Sequence, residues 1–329
     1  MVKLSIIIPV YNVYKYLENC LSSVFHQDIP LDSYEVIIVN DGSTDASEEI
    51  ILRYKNLFSN LIYIKQENQG VSVARNKALA IAKGNYITFV DSDDSIYENT
   101  FSTIINRLET LNLDILYLSI EEYTEDDVYI RTLPKTGDDT IISDGFTHER
   151  RTFPPTFYKR NILENHFFTP NIIIGEDTVF NVIAQSKAER CSYFSLPYYK
   201  YKLRVGSASR SNKNEKVFKG VLLSLETIHN QRISMGTLTN EQQEYFDAVL
   251  LLFIKRALDW NIIPELSKEK FEAVKQFLKE NKLEHLITRT ALEYKKFDKS
   301  FSAFYKHQLL KKVKNRIKTT ASKLRNKKK

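Results

Sequence analysis

The chain has 329 residues, of which 43% are hydrophobic and 27% are charged, and its formal net charge is +6 at pH 7. Its two cysteines cannot form a framework of disulfide bridges. The amino terminus does not read as a signal peptide, and no apolar run approaches the roughly 20 residues that a bilayer-spanning helix needs. This composition is typical of a globular protein and favours the cytoplasm.

Strand-like and helix-like segments alternate through the first third of the chain. Continuous apolar runs, typical of strands buried on both faces, are separated by segments whose apolar residues recur at helical spacing. This alternation predicts a mainly parallel, doubly wound α/β sheet, whose ligands bind beyond the carboxyl ends of the strands. The predicted strands are 4–10, 34–40, 61–66, 86–90 and 114–119, and the predicted helices are 16–25, 46–58, 71–82 and 97–111.

Polar or acidic segments follow four consecutive predicted strands. They are PVYN (9–12), NDGSTD (40–45), ENQG (67–70) and DSDD (91–94). Because the carboxyl ends of parallel strands lie at one edge of a sheet, the four segments predict a common site. Asp41 stands directly at a strand tip and is expected to be functional, whereas Asp45 with Glu48 fits a helix-capping box.

The segment DSDD places three carboxylates within four residues. A helix cap needs only one such side chain, and three carboxylates repel one another unless a cation lies among them. Aspartates two residues apart on a turn can face one hard cation and leave positions for water and phosphate oxygens. Asp91 and Asp93 therefore predict a metal site.

Several common nucleotide-binding and hydrolase motifs are absent from the sequence. It contains no G-x-G-x-x-G after a strand, no G-x-x-x-x-G-K-[ST] and no G-x-S-x-G. Dinucleotide dehydrogenases, P-loop NTPases and α/β-hydrolases are therefore disfavoured. A nucleotide could still bind through acids and a metal.

Five segments in this order resemble the family 2 inverting glycosyltransferases with the A-type fold. They are SIIIPVYN, VIIVNDGSTD, NQGVSVARNKAL, GNYITFVDSDD and GEDTVFN. The resemblance is dense over residues 3–118 and resumes from about 153 to 209. It implies an A-type glycosyltransferase fold, with a Rossmann-like, mainly parallel sheet and a nucleotide-sugar donor bound along the strand rim. A UDP-sugar is the donor that the resemblance favours.

The resemblance also implies which residues bind the nucleotide. Tyr11 matches the position that stacks on the base, and Asp41 matches the residue that hydrogen-bonds it. Arg75 matches an arginine nearby, and Pro9 belongs to the same nucleotide-binding set.

The D-x-D signature of the family corresponds to Asp91 and Asp93. The resemblance implies that Asp91 lies near the ribose and sugar, and that Asp93 holds Mn²⁺ or Mg²⁺ against the diphosphate. Asp94 has two alternative roles: it supports the metal site from behind, or it caps the helix that follows.

An inverting transfer needs a general base that accepts the proton of the acceptor hydroxyl. The resemblance gives this part to Asp177 and an acceptor-site or orienting part to Glu176; the alternative is an aspartate that only stabilises a helix N-terminus. Arg204 and Ser207 match residues that contact the diphosphate, although Lys202 stands where relatives often have arginine.

The second half of the chain predicts helices, followed by a basic tail. Residues 306–329 contain eleven lysines and arginines and no acid. Apolar residues recur along one stripe of the tail, so it could lie on an anionic membrane surface or be a solvated, partly disordered segment. The acidic body and the lack of a recognition module argue against nucleic acid. The predicted parts are a catalytic domain 1–214 (nucleotide-binding 1–118, acceptor-binding 119–214), a helical appendage 215–300 and a basic amphipathic tail 301–329.

The sequence as a whole predicts a metal-dependent inverting glycosyltransferase that adds a sugar to a hydroxyl of a growing glycan. The expected setting is bacterial cell-surface polysaccharide synthesis, with the enzyme cytoplasmic or peripheral on the inner face of the membrane. The glycan acceptor could be lipid-linked. Two alternatives stay open: a nucleotidyltransferase, and a non-catalytic nucleotide-sugar-binding or scaffolding protein.

Overall fold

A computed structural model describes residues 1–133, 140–142, 155–203 and 214–311, and for 140–142 it describes the backbone alone. The chain divides into two compact units. Unit 1 comprises Met1–Ser211 with Ser234–Thr237, and unit 2 comprises Asn212–Ile233 with Leu238–Lys329. Arg204, Ser207 and residues 312–329 of the basic tail lie outside the described residues.

Unit 1 is built on one large mixed sheet. In the described part of the chain the sheet has ten strands, in the order β3-β2-β1-β4-β9-β6-β10-β5, with β7 paired to β6 and β8 to β10. The strands are β1 Leu4–Val10, β2 Tyr34–Asp41, β3 Leu61–Gln66, β4 Tyr86–Phe89, β5 Ser95–Ile96, β6 Ile115–Thr124, β7 Tyr129–Leu133, β8 Thr140–Ile142, β9 Thr156–Lys159 and β10 Cys191–Leu203.

Strand β1 shows why the first strands read as continuous apolar runs. All seven of its residues are buried. Leu4, Ile6 and Ile8 join one core cluster, while Ile7 joins another. The first cluster also holds residues of α1 Tyr14–Phe25, α2 Ser47–Leu57 and α4 Phe101–Thr110, and the second holds residues of α3 Val71–Leu79 and α5 Glu176–Ser186. Helices therefore cover both faces of the sheet, as the alternation predicts.

The parallel part of the sheet is the part that carries the predicted rim. Strands β3, β2, β1 and β4 pair in parallel, and this confirms the predicted arrangement. Beyond β4 the sheet becomes mixed, because β9 pairs antiparallel with both β4 and β6. Strand β6 runs on into a hairpin with β7.

Helix α4 begins later than the helix predicted for residues 97–111. Ser95 and Ile96 form β5 and pair with β10, and the amide of Tyr97 donates to the carbonyl oxygen of Tyr198 at 2.8 Å. These residues are held along β10, and Asn99 has a φ of +56°, which is not helical, so the helix begins at Phe101.

Unit 2 is helical, as the pattern predicts. Phe271 is fully buried and contacts the rings of Phe297, Phe301 and Phe304. The first aromatic residues of the predicted tail stripe therefore pack inside unit 2. Among the described helices, none is both long and apolar enough to cross a membrane. The helices are α6 Glu215–Ser234, α7 Asn240–Ala257, the π-helical turn Leu258–Ile262, α8 Ile263–Glu265, α9 Lys268–Glu280, α10 Glu284–Glu293 and a last helix over 301–311.

Candidate functional site

The loops after β1 and β2 are tied to each other. The Asn12 side-chain oxygen accepts the Thr44 amide at 2.8 Å, and the Asn12 amide donates to the Ser43 hydroxyl at 3.1 Å. Asp45 accepts the Tyr14 amide, 3.1 Å away, at the start of α1. Tyr11 precedes this network and is 48% exposed, so its ring stands at the surface of a fixed loop. Its stacking on a base stays a prediction.

Asp45 does not form the predicted capping box with Glu48. Its second carboxylate oxygen accepts the Ser47 amide at 3.0 Å, so it holds the starts of both α1 and α2. Glu48 instead accepts from the hydroxyl of Tyr63 at 2.7 Å and pairs with Lys65 at 2.6 Å, because both side chains extend from β3 beside α2.

Asp41 organises the loop that follows β3. Its carboxylate is 2% exposed and accepts three hydrogen bonds, from the Gln66 side chain at 2.7 Å and from the amides of Gln69 and Gly70 at 2.8 Å. The next residue, Gly42, has φ +76°, and a β-carbon there would lie 2.8 Å from a backbone nitrogen of this loop. Only glycine allows that approach. Contact of Asp41 with a base stays a prediction.

Pro9 is buried in β1, between β2 and β4. The carbonyl oxygen of Ile7 accepts the amide of Val90 at 3.0 Å, so the backbone groups of Ile7 face β4. The backbone nitrogen of Pro9, two residues later, faces the same side, but β4 has already ended at Phe89. The missing N–H of Pro9 therefore costs the sheet no hydrogen bond, and its part in nucleotide binding stays a prediction.

Arg75 joins two segments of the candidate site that are far apart in sequence. Its guanidinium, on a side chain that is 4% exposed, donates to Asp91 at 2.8 Å and to Glu176 at 3.1 Å. It also lies 5.0 Å from the centre of the Phe168 ring. Burial alone would lower the pKa of Arg75, but the charges of Asp91 and Glu176 outweigh it and raise that pKa. The arginine stays charged and holds the two acids together.

Asn76, the residue after Arg75, fixes the segment that leads to α5. Its side chain donates to the Phe168 carbonyl oxygen at 2.8 Å and accepts the Phe168 amide at 2.7 Å. The Phe168 ring in turn stacks on Phe180 of α5, with ring centres 4.0 Å apart. Asn76 lies within the segment NQGVSVARNKAL, but no pattern in the sequence indicates its contacts with Phe168.

The acidic turn 91–94 is closed by the Asp94 amide, which donates to the Asp91 carbonyl oxygen at 3.0 Å. The Asp91 side chain is 34% exposed and faces Arg75, whereas Asp94 is buried. The Asp94 carboxylate accepts from the Tyr199 hydroxyl at 3.0 Å and from the Lys202 amide at 3.3 Å. Asp94 thus anchors the turn to β10; a capping part is not supported, since α4 begins after Thr100.

A cleft of about 760 Å³ adjoins the acidic turn. Asp93 and Asp94 form part of its wall. Tyr11, Asp41, Arg75 and Asp177 are not among its described lining residues, so it extends away from the predicted base and sugar positions. Its other charged and aromatic lining residues are Lys15, Tyr16, Tyr97, Glu98, Tyr123, Asp127, Lys200 and Lys202.

Glu176 and Asp177 open helix α5, directly after Gly175, whose φ is +94°. Burial and then the neighbouring charge of Asp177 raise the pKa of Glu176 to about 7, against the opposing effect of Arg75. Asp177 accepts the Thr178 amide at 2.6 Å, and its charge helps to raise the pKa of Arg75. The structure therefore groups Arg75, Asp91, Glu176 and Asp177.

The carboxylates of the acidic turn fit a cation that completes its coordination with substrate oxygens. In the described ranges no group of three histidine, cysteine or acidic residues converges as a complete metal cage. Mg²⁺ and similar hard cations commonly bind one or two carboxylates together with phosphates and water. Asp93, with Asp91 two residues away on the same turn, can supply such carboxylates.

Removing the Arg75 charge is expected to destabilise unit 1 strongly. An Arg75→Met variant leaves Glu176 and the partly exposed Asp91 without their buried cation, and breaking a buried ion pair costs about 3–5 kcal/mol. Urea unfolding should show this loss. Arg53→Met is the matched control, because Arg53 is 58% exposed and pairs with Glu18 at the surface, where the expected loss is below about 1 kcal/mol. Equal losses in the two variants would contradict the buried bridge.

Comparison with known proteins identifies the family. The profile of glycosyl transferase family 2 matches residues 5–174, so the chain belongs to this family. Glycosyltransferase GlyA of Streptococcus pneumoniae is 35% identical over 223 residues, which are 63% of this chain and 32% of GlyA. The minor teichoic acid biosynthesis protein GgaB of Bacillus subtilis is 32% identical over 220 residues, 64% of this chain and 24% of GgaB. The aligned part is therefore a third or less of these relatives.

A solved structure shows the same fold. Residues 1–349 of Staphylococcus aureus TarS, in complex with UDP-GlcNAc, superpose with a TM-score of 0.69 at 24% identity, covering 92% of this chain and 89% of that one. TarS is a poly(ribitol-phosphate) beta-N-acetylglucosaminyltransferase. The likeness confirms the A-type glycosyltransferase fold with a helical carboxyl-terminal region.

Proposed function

We propose that this chain is a metal-dependent inverting glycosyltransferase. It transfers a sugar from a UDP-sugar to a hydroxyl of a growing cell-surface glycan, on the cytoplasmic side of the membrane. The observation that carries the proposal is the buried Arg75 bridge, which joins Asp91 of the acidic turn to the start of α5. It brings the predicted donor-binding and base-bearing segments into one site.

The bridge supports separate roles for the four grouped residues. Asp91 faces the rim beside its partner Arg75 and is suited to accept hydrogen bonds from ribose or sugar hydroxyls. Asp177 accepts the proton of the acceptor hydroxyl as that oxygen attacks the anomeric carbon from the side opposite the diphosphate. Arg75 and Glu176 orient these two acids, and the raised pKa of Glu176, caused by burial and by the neighbouring charge of Asp177, limits the negative charge of the group.

The donor diphosphate is proposed to lie beside Asp93. A divalent cation held there by carboxylate oxygens would neutralise the charge that grows on the departing diphosphate. Tyr11 and Asp41 lie on fixed loops and are suited to hold the base, while Arg204 and Ser207 remain proposed diphosphate contacts. Residues 1–214 would form the catalytic part.

The acceptor class follows from the relatives alone. TarS and GgaB carry names that refer to ribitol-phosphate polymer and teichoic acid synthesis, and this supports a glycan of the cell envelope as the acceptor. The donor complex of TarS supports a UDP-sugar. A lipid-linked acceptor and docking of the basic tail on an anionic membrane remain part of the proposal.

Release of nucleoside diphosphate tests the proposed function. The purified chain would be incubated with UDP-, GDP- and dTDP-sugars, each with Mn²⁺, Mg²⁺ or EDTA, and donor binding would be measured by calorimetry in the same buffers. We expect metal-dependent release of UDP from one donor. Binding without release, even with envelope glycans as acceptors, would favour a non-catalytic binding protein. No binding of any donor would exclude the nucleotide-sugar site.

A further inference from the structure

Tyr199 makes two hydrogen bonds that both involve the acidic turn. Its hydroxyl accepts the Asp91 amide at 3.1 Å and donates to the Asp94 carboxylate at 3.0 Å. The side chain is 1% exposed. A tyrosine hydroxyl has one proton to donate and lone pairs that accept. The Tyr199 hydroxyl therefore bridges the two ends of the turn.

The same strand holds the turn at further points. The Lys202 amide donates to Asp94 at 3.3 Å, and Ser95 and Ile96 pair with Lys200 and Tyr199 of β10. On the opposite side, the Ser23 hydroxyl of α1 accepts the Ile96 amide at 3.1 Å. The turn is thus fixed between a helix and a strand, with Tyr199 at its centre.

Asp93 lies between the two residues that Tyr199 joins. It lines the 760 Å³ cleft, and the position of its side chain depends on the backbone between Asp91 and Asp94. A carboxylate that shares a cation with a diphosphate must be held within a narrow range of directions. Tyr199, which is 105 residues from Asp94 in sequence, is hydrogen-bonded to both ends of that backbone.

We propose that Tyr199 is a positioning residue, whose hydroxyl joins the Asp91 amide to the Asp94 carboxylate and so aims Asp93 at the cation that accompanies the donor diphosphate. This inference rests on the proposed function. It assigns Asp94 to the support of the turn and gives β10 a part in metal binding.

The test removes one oxygen atom. Tyr199→Phe keeps the buried ring and loses the bridge, and Tyr198→Phe is the matched control, because Tyr198 is the adjacent, fully buried tyrosine and packs edge-on against Phe157. Mn²⁺ binding would be titrated by electron paramagnetic resonance in the presence of UDP. We expect the apparent Kd for Mn²⁺ to rise about tenfold in Tyr199→Phe and less than twofold in the control.

Two further readouts separate positioning from general destabilisation. Without metal, hydrogen exchange should accelerate at the amides of Asp91 and Asp94 in Tyr199→Phe, while the amides of β1 and β2 keep their protection. In Tyr199→Phe, hydrolysis of the donor, which releases UDP, should need more Mn²⁺ for its half-maximal rate. At saturating Mn²⁺ it should reach nearly the wild-type rate. An Asp94→Asn variant should show the same rise in the Kd for Mn²⁺. The double variant should bind Mn²⁺ little more weakly than the weaker of the two single variants.

The outcomes distinguish this inference from the proposed function. If the wild type binds Mn²⁺ with UDP and Tyr199→Phe does so with the same Kd, the positioning role is wrong while the metal-dependent transferase stands. If the wild type binds no Mn²⁺ in the presence of UDP, the metal-dependent function fails, and the role of Tyr199 fails with it.

Discussion

An Asp93→Asn variant is expected to release UDP from the donor at least about a hundredfold more slowly than the wild type. Stabilisation of a leaving group by a metal contributes several kcal/mol to a transition state, and about 1.4 kcal/mol corresponds to a factor of ten in rate. The neutral amide binds a hard cation far less well than the carboxylate does. The rate would be measured across a range of Mn²⁺ concentrations, and the deficit should shrink as Mn²⁺ increases.

Asp127→Asn is the matched control for this prediction. Asp127 lines the same cleft, is 70% exposed and pairs with Lys202 at 2.6 Å. The variant makes the same change of charge in the same cleft, and we expect it to retain activity within about threefold, since an exposed pair contributes little. Equal losses for Asp93→Asn and Asp127→Asn would indicate a general effect of charge and would contradict a metal carboxylate.

Replacing Asp177 by asparagine is expected to lower the rate of sugar transfer by about 10²- to 10⁴-fold, the usual contribution of a general base. UDP binding, measured by calorimetry, should change less than twofold, because the base acts on the acceptor. Transfer would be measured in single turnovers with an acceptor that the wild type uses, or as donor hydrolysis, in which water takes the place of the acceptor hydroxyl.

The alternative reading of Asp177 makes a different prediction. An aspartate that only stabilises the start of α5 contributes about 0.3–1 kcal/mol to stability and nothing specific to the reaction. Activity in Asp177→Asn would then fall no further than in Glu241→Gln, which removes a charge from the first turn of α7. Loss of stability with full retention of transfer would therefore assign Asp177 to the helix alone.

Local patterns predicted the parallel half of the sheet and the edge where its acidic segments meet. Strands β1, β2 and β4 are buried and the edge strand β3 is partly buried. Each ends in a polar segment that the parallel pairing brings to the same rim. The contact of Asp91 and Glu176 with a shared arginine could not be predicted from local sequence patterns. It depends on Arg75, which is 101 residues from Glu176 in sequence, and nothing in the local pattern gives that distance.

The contributions of β9 and β10 could not be read from the sequence. Strand β9 has four residues and carries no long alternating pattern. Tyr199 lies in a run of apolar and aromatic residues that predicts burial but gives no partner for its hydroxyl. Asn76 stands on a helix beside Arg75, where a polar residue usually faces solvent. Each of these residues acquires its role only through contacts distant in sequence.

The position of β9 has a consequence for synthesis of the chain on the ribosome. Strand β9 lies between β4 and β6, so neither strand can pair fully with β9 until residue 159 has been synthesised. A nascent chain of 118 residues would hold β1 to β4 in place with the edge of β4 unprotected, and such edges invite pairing with other chains. The nucleotide-binding third should therefore aggregate when produced alone, and chaperone contacts should cluster between the emergence of β4 and that of β9.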